Sequence, residues 1–247
     1  MTVPASRLAV VTGGTAGIGL ATAAALARDG WRVIACSRQP PEDAAAMPEG
    51  VEPLACDVAD PASVAALAER VSRAGAPLGA VVNSAGMALP RAPFLESTEE
   101  QMQRIFEVNS FGTIRVLRAL LPLMTAGGTV VNLSSTLAAR PRPGSALYAA
   151  TKGAVERFST ALASEVAERG IRVHVVAPAL VRSEIWLRAG MSETDYQALL
   201  AARGAEFPLG RVGEPEDVAE LIRYLVSDRA AWMTGTLIPV DGGAMLR

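Results

Sequence analysis

Short runs of consecutive apolar, largely β-branched residues alternate along the chain with longer stretches whose apolar positions recur at helical spacing. Leu8-Ala-Val-Val-Thr12 is the first such run and Arg32-Val-Ile-Ala-Cys36 the second. Val51–Cys56, Gly79–Val82, Thr129–Leu133, Ile171–Ala177 and Thr236–Val240 complete the set. Runs without polar alternation are buried on both faces, as parallel strands covered by helices are. The intervening pattern predicts a helix to about Arg28, ended by Gly30, and another from Asp60-Pro61 through Arg73. A third starts at the capping sequence Ser97-Thr-Glu-Glu100 and keeps its apolar face to Met124. Others run from about Ala146 to Arg169, from Ser192 to Arg203, and from Glu214-Pro215 through Val226. Gln39 to Gly50 predicts a polar connection with a short helix at most. Strand–helix alternation gives βαβ units, so the expected class is α/β, a doubly wound parallel sheet with helices on both faces. About seven strands and three layers are expected. No repeat or linker breaks the alternation, and residues 1–247 are expected to form one domain.

Composition narrows the function classes. Half of the 247 residues are apolar, enough for one large core burying roughly 70–75% of the chain's surface. The net charge is −2 with both signs interspersed, which offers no nucleic-acid patch and no membrane-binding stripe. No apolar run reaches the ~18 residues of a membrane span. The opening MTVPASRLAVVTGG carries neither a signal-peptide core nor a cleavage site, so a cytoplasmic protein is expected. Cys36 and Cys56 lie in apolar runs without metal spacing and read as reduced core residues. His174, the only histidine, sits inside a strand with no second ligand beside it, and no metal site is expected.

The candidate chemistry lies where strands end. After the first strand, Gly13-Gly14-Thr15-Ala16-Gly17-Ile18-Gly19 opens a helix. Glycines there let backbone approach a pyrophosphate, and the helix start supplies free N–H groups and positive dipole. A tight turn with no ligand is the bland alternative. After the second strand, a dinucleotide site built for NAD places a carboxylate for the ribose 2′-hydroxyl. This chain has Ser37-Arg38, which removes a repulsion and offers a charge-assisted partner to a 2′-phosphate. NADP(H) is therefore favoured over NAD(H), against a merely solvated arginine. Asp57, just past the third strand, is placed either to accept from an adenine amino group or to cap a turn. Small residues in Asn83-Ser84-Ala85-Gly86 let backbone lie against a ribose. Asn109 falls inside a helix, a poor position unless it has a task.

Tyr148 and Lys152 stand at i and i+4 on one helical face. An ammonium beside a phenol favours the phenolate, so the Tyr148 pKa is expected to fall from ~10 toward 7 or 8. That range suits proton transfer to or from a ketone or alcohol oxygen. Ser135, at the end of the fifth strand, is placed to hold a carbonyl oxygen against Tyr148. Tyr-x-x-x-Lys by itself is common on helices; the company it keeps gives it weight.

Taken together these motifs resemble the short-chain dehydrogenase/reductase family over essentially the whole chain. Thr12–Gly19 resembles its cofactor turn, and Asn83-Ser-Ala-Gly86 its Asn-Asn-Ala-Gly stretch, with Ser84 departing from the second Asn. Asn109, Ser135, Tyr148 and Lys152 fall where the family has its catalytic four, and Leu209–Ala219 and Thr234–Gly243 match its carboxyl-terminal third. Pro178-Ala179 departs from the usual Pro-Gly, which bears on how closely this loop approaches the nicotinamide. The resemblance implies a Rossmann-type fold. It implies Tyr148 as proton donor or base, Lys152 on the nicotinamide ribose, Ser135 on the carbonyl oxygen and Asn109 on a water. It also implies Val181 and Ser183 at the carboxamide, Asp57 and Val58 at the adenine, and a homo-oligomer, dimer or tetramer, formed through the long helices. The substrate is expected to be a small carbonyl or alcohol, a carrier-bound acyl chain included, under a lid at about 179–207. Leu137, Ile185, Trp186, Leu187 and Met191 are candidate pocket residues, and Arg140 and Arg142 either meet an anionic substrate or are solvated. An NAD-dependent catabolic dehydrogenase and a non-catalytic dinucleotide-binding scaffold are the rival readings.

Overall fold

A computed structural model describes residues 7–41 and 43–246. The reading of the opening six residues and one position of the Gln39–Gly50 connection lie outside these. In chain order the elements are β1 (Leu8–Thr12), α1 (Gly17–Arg28), β2 (Arg32–Ser37), β3 (Val51–Ala55), α2 (Pro61–Ser72) and β4 (Leu78–Asn83). Then come α3 (Glu99–Phe106), a π-helical turn over Glu107–Phe111, α4 (Gly112–Leu120) and β5 (Met124–Leu133). The last third holds α5 (Thr136–Ala139), α6 (Ala146–Val166), β6 (Arg172–Pro178), α7 (Ile185–Arg188), α8 (Glu193–Glu206), α9 (Pro215–Val226) and β7 (Thr236–Val240).

The seven strands form one sheet in the order β3-β2-β1-β4-β5-β6-β7, every pair parallel. Side chains alternate across it. Leu8, Val10 and Ile34 pack with Leu67 of α2, Leu117 of α4 and Leu162 of α6. Ala9, Val11 and Val33 face the other way, against Leu26 of α1 and Ile222 and Leu225 of α9. Two apolar layers thus flank the sheet, the doubly wound arrangement expected. The strand order reverses direction between β1 and β4, and a crevice opens there beyond the strands' carboxyl ends.

Several boundaries differ from expectation for visible reasons. The capping box sits one residue later: Thr98 Oγ1 accepts from Gln101 N–H and Gln101 Oε1 from Thr98 N–H, at 3.2 and 3.1 Å. The helix after α3 stops at Leu120 because Pro122 follows, and Met124 opens β5 rather than continuing the helical face. A third apolar cluster, Ala88, Trp186, Tyr196, Leu200, Phe207 and Val212, sits beside the sheet under the segment after β6.

Candidate active site

The glycine turn after β1 has no room for side chains. A Cβ on Gly19 would lie 2.1 Å from the Gly13 carbonyl oxygen, and one on Gly13 would meet Ala85 at 2.9 Å. Gly13 and Gly17 also take positive φ, 64° and 50°. The turn delivers the chain into α1, whose N-cap Ala16 has no side chain to satisfy the first amides. A helix start left uncapped in this way is suited to an anion, and Ile18 in its first turn lines the cavity described below. At the end of β2, the Ser37 hydroxyl is buried with no hydrogen-bond partner, and Arg38 is exposed beside it. An orphaned hydroxyl, unspent helix amides and a cradle that any Cβ would fill fit a dinucleotide along this edge.

Asp57 makes the turn contacts that one of its two readings expects. Its Oδ1 accepts from Ala59 N–H at 2.9 Å and its Oδ2 lies 3.4 Å from Arg104, so it caps the turn after β3. Val58 is buried beneath α4, its side chain 2.7 Å from where a Gly112 Cβ would stand. At β4, Asn83 donates to Asn132 Oδ1 at 2.8 Å, tying β4 to β5 and leaving its own oxygen free.

Asn109 owes its place to the π turn, which interrupts the α3–α4 helix around it and turns its amide inward. It is fully buried. Its Oδ1 accepts from Met87 N–H at 2.8 Å, and its Nδ2 donates to Met87 carbonyl at 3.0 Å and Thr151 Oγ1 at 3.1 Å. It therefore braces the loop after Gly86 against α6. A side chain on Gly86 would come within 3.4 Å of Asn109 Oδ1 and 3.5 Å of Lys152 Nζ, so a small gap separates these two.

Ser135, Tyr148 and Lys152 line one cavity of about 340 Å³. Ser135 sits at the mouth of β5 as N-cap of α5, its hydroxyl accepting from Leu137 N–H at 3.2 Å. The same cavity reaches Ile18, Gly86, Pro178, Val181 and Ser183. Lys152 is buried, and its ammonium lies 5.8 Å from the Tyr148 ring centroid and donates to the Leu133 carbonyl at 2.9 Å. The expected depression of the Tyr148 pKa is not found. Burial pushes the phenol up to about 12, with the neighbouring Ser135 hydroxyl pulling partly the other way. Burial also lowers Lys152 to about 8. Desolvation governs both groups, and the ammonium spends a donor on the Leu133 carbonyl.

The segment after β6 is pinned at its start. Val181 bridges to Gly213, Arg182 N–H donates to the Gly213 carbonyl at 2.9 Å, and Gly213 N–H to Leu180 at 3.0 Å. Ala179 donates to the Val240 carbonyl at 3.1 Å and, like every described non-glycine residue, keeps negative φ. The departure from Pro-Gly therefore brings no strain. Leu137, Ile185 and Trp186 line the cavity, while Leu187 and Met191 pack outside it against the third cluster. Arg140 and Arg142 both reach the cavity. The first donates to the Met245 carbonyl at 3.0 Å, and the second lies 3.8 Å from Glu206.

Sequence reasoning missed three contributors. Tyr196 of α8 accepts Ser183 N–H at 2.8 Å and fixes that residue at the cavity. Arg91 and Arg203 also line the cavity. Only Arg91 carried a signal, as a lone cation in the otherwise apolar, proline-flanked Ala88-Leu-Pro-Arg-Ala-Pro93.

Residues 13–245 match a family model described as enoyl-(acyl carrier protein) reductase. The chain belongs to the short-chain dehydrogenase/reductase family. Carbonyl reductase family member 4 of Danio rerio is 35% identical over 246 residues, covering 98% of this chain and 99% of the relative. Cis-4-hydroxycyclohexanecarboxylate dehydrogenase of Sinomonas cyclohexanicum is 37% identical over 255 aligned positions, covering 97% and 96%. The solved ligand-free aldohexose dehydrogenase of Thermoplasma acidophilum superposes with a TM-score of 0.89 at 27% identity, over 98% of this chain and 95% of that one. This member of the family is an oxidoreductase acting on carbonyl or CH–OH groups, as its named relatives are. The family's cofactors are nicotinamide dinucleotides.

Proposed function

We propose that the protein reduces a ketone to a secondary alcohol, or runs the reverse, using NADP(H), with Tyr148 moving the proton. The observation that carries this reading is the convergence of Ser135, Tyr148 and Lys152 on one cavity that also reaches Ile18, Gly86 and Ser183. When bound, the nicotinamide supplies the hydride in reduction and accepts it in oxidation. The chain's residues do the rest. Ser135 orients the carbonyl oxygen toward Tyr148 and shares the charge that builds on it. Tyr148, neutral at physiological pH because burial holds it at about 12, gives its proton to that oxygen. Lys152 would hold the nicotinamide ribose and offset the negative charge left on the phenol. The gap at Gly86 between Asn109 and Lys152 suits a water that refills the proton.

Tyr148→Phe is expected to lower NADPH-dependent turnover by roughly 10²- to 10⁴-fold while the cofactor still binds. Stopped-flow absorbance and calorimetry check the two halves, and wild-type turnover in this variant would end the proposal. The preference for NADP(H) rests on Ser37 and Arg38. Arg38 makes no ion pair among the described residues, and Ser37-Arg38 stand at the end of β2 where an NAD site would place a carboxylate. Arg38→Ala is expected to raise the KM for NADPH at least about 10-fold, the worth of one charge-assisted contact, and to leave that for NADH unchanged. Tighter binding of NADH by the wild type would favour the catabolic NAD-dependent reading instead.

The relatives' names, a carbonyl reductase and a dehydrogenase of a ring hydroxy acid among them, support a small carbonyl or alcohol here, beneath a lid formed by residues 179–207. Two buried free thiols, Cys36 and Cys56, agree with a reducing, cytoplasmic setting. Among the described residues no helix is long and apolar enough to cross a membrane. Assembly with a second copy through the long helices that hold Asn109 and Lys152 belongs to the same reading.

A further inference from the structure

The substrate cavity is cationic. Besides Lys152, four guanidiniums line it, from Arg91, Arg140, Arg142 and Arg203, and no Asp or Glu stands among its described lining residues. Three of the four are already engaged. Arg203 pairs with Glu206, Arg142 lies 3.8 Å from the same carboxylate, and Arg140 donates to the carbonyls of Ala244 and Met245. Arg91 is different. It makes no ion pair and no hydrogen bond among the described residues, yet its position is fixed. Its guanidinium lies over the Trp186 ring, 5.2 Å from the centroid, and its Cβ packs 3.3 Å from where a Gly144 Cβ would be. Gly144, at φ 76°, carries the loop leading into α6 and Tyr148. Arg91 thus lines the same cavity as Ser135 and Tyr148, stacked on Trp186, with its N–H edge unspent. Partial burial weakens its hold on its proton, and the nearby Arg203 adds repulsion. An anion placed there would relieve both costs. A guanidinium held flat on an aromatic ring presents a planar fork that matches a carboxylate in two-point contact.

We infer that this site takes ketones, or the corresponding alcohols, that carry a carboxylate of their own, and that Arg91, laid on Trp186, is the residue that reads it. The inference rests on the proposed reductase reading for the reacting end of the substrate and adds the recognition of its far end. A guanidinium–carboxylate contact at a partly desolvated site should favour an acid over its neutral ester by about 10- to 100-fold.

The test uses the full chain loaded with NADPH, with 4-oxocyclohexanecarboxylate and its methyl ester as matched probes. The wild type is expected to show a kcat/KM ratio of acid to ester of at least about 10, falling toward 1 in Arg91→Gln and partly restored in Arg91→Lys. Binding of cyclohexanecarboxylate to the NADP⁺-loaded protein, measured by calorimetry, gives a readout free of turnover and should weaken by a similar factor in Arg91→Gln. NADP⁺ affinity of each variant serves as the folding control. Equal use of acid and ester by the wild type overturns the inference, as does a preference for acid that survives in Arg91→Gln. A 3-oxoacyl chain on a carrier protein, if turned over faster than any free keto acid, also overturns it. Arg91-dependent binding of the carboxylate without any turnover upholds the anion site and sinks the reductase reading, so the two fail separately.

Discussion

Lys152 shows how function opposes stability at a single residue. A buried ammonium whose pKa is lowered to about 8 is a charge the folded protein holds at a cost. That cost is on the order of 3 kcal/mol at pH 7, where both states bind the proton. Its hydrogen bond to the Leu133 carbonyl returns about 1 kcal/mol. Lys152→Met is therefore expected to raise stability by about 2 kcal/mol and Tm by roughly 5 °C, while turnover falls. The folded pKa is depressed, so the unfolded chain binds more protons between about pH 8 and 10.5. Wild-type stability should gain on the variant as pH rises through that window, which chemical denaturation at pH 7.5 and 10.5 would reveal. A variant no more stable than wild type at pH 7.5 contradicts the assignment. Tyr148 and Lys152 were legible from spacing alone, because i and i+4 positions share a helical face wherever the helix is placed. The direction of their titration was not, since it depends on how completely the surroundings exclude water.

At the level of elements, β6 and β7 are tied by a polar contact inside the sheet. His174 is fully buried, with Nδ1 2.8 Å from Thr236 Oγ1 and Nε2 3.3 Å from an Arg172 nitrogen. The guanidinium of Arg172 also donates to the carbonyls of Leu225, Ala230 and Ser227, closing the end of α9. Burial and this nearby cation lower the His174 pKa to about 4, so the imidazole is neutral, accepting from Arg172 and donating to Thr236. The unfolded chain protonates near 6.5 and the folded one near 4. Stability is thus whole above about pH 6.5 and drains as pH falls toward 4, by up to about 3 kcal/mol. His174→Gln, which keeps a donor and an acceptor, should flatten that acid limb; urea midpoints at pH 7 and 4.5 would show it. An acid limb of unchanged steepness counts against His174 as its source. Element existence and order were readable because parallel strands are apolar on consecutive positions. The π turn at Asn109 was not, since no local spacing distinguishes it from an α turn, although an Asn in mid-helix marked the place. Nor was the third cluster around Trp186, whose apolar residues follow neither a strand nor a long helical period.

For the whole molecule, the doubly wound sheet explains why residues as distant in sequence as Gly86, Ser135, Tyr148 and Ser183 line one cavity: each follows a strand's carboxyl end or lies in the helix after it. The same topology leaves surfaces that the chain does not cover. Phe111, on the π turn between α3 and α4, is half exposed, and Trp232 just ahead of β7 is fully exposed. β7 closes the sheet, with no strand beyond it among the described residues. An open edge and large exposed aromatics are liabilities in a lone protomer and assets in an assembly. The long helices that hold Asn109 and Lys152 are the expected contact; Phe111 is an exposed apolar residue on the π turn between α3 and α4, and covering it would also steady the turn that aims Asn109 inward. Sedimentation equilibrium at micromolar concentration should give a whole-number multiple of 25.6 kDa, two or four. Phe111→Asp should shift that mass toward the protomer and lower turnover with it, because a charge cannot be buried against its own copy without several kcal/mol of cost. Trp232→Ser tests the β7 edge separately and should leave a dimer if the helices form the first contact. A wild-type chain that sediments as a protomer and is fully active refutes the assembly, and with it any need for a second copy around the site.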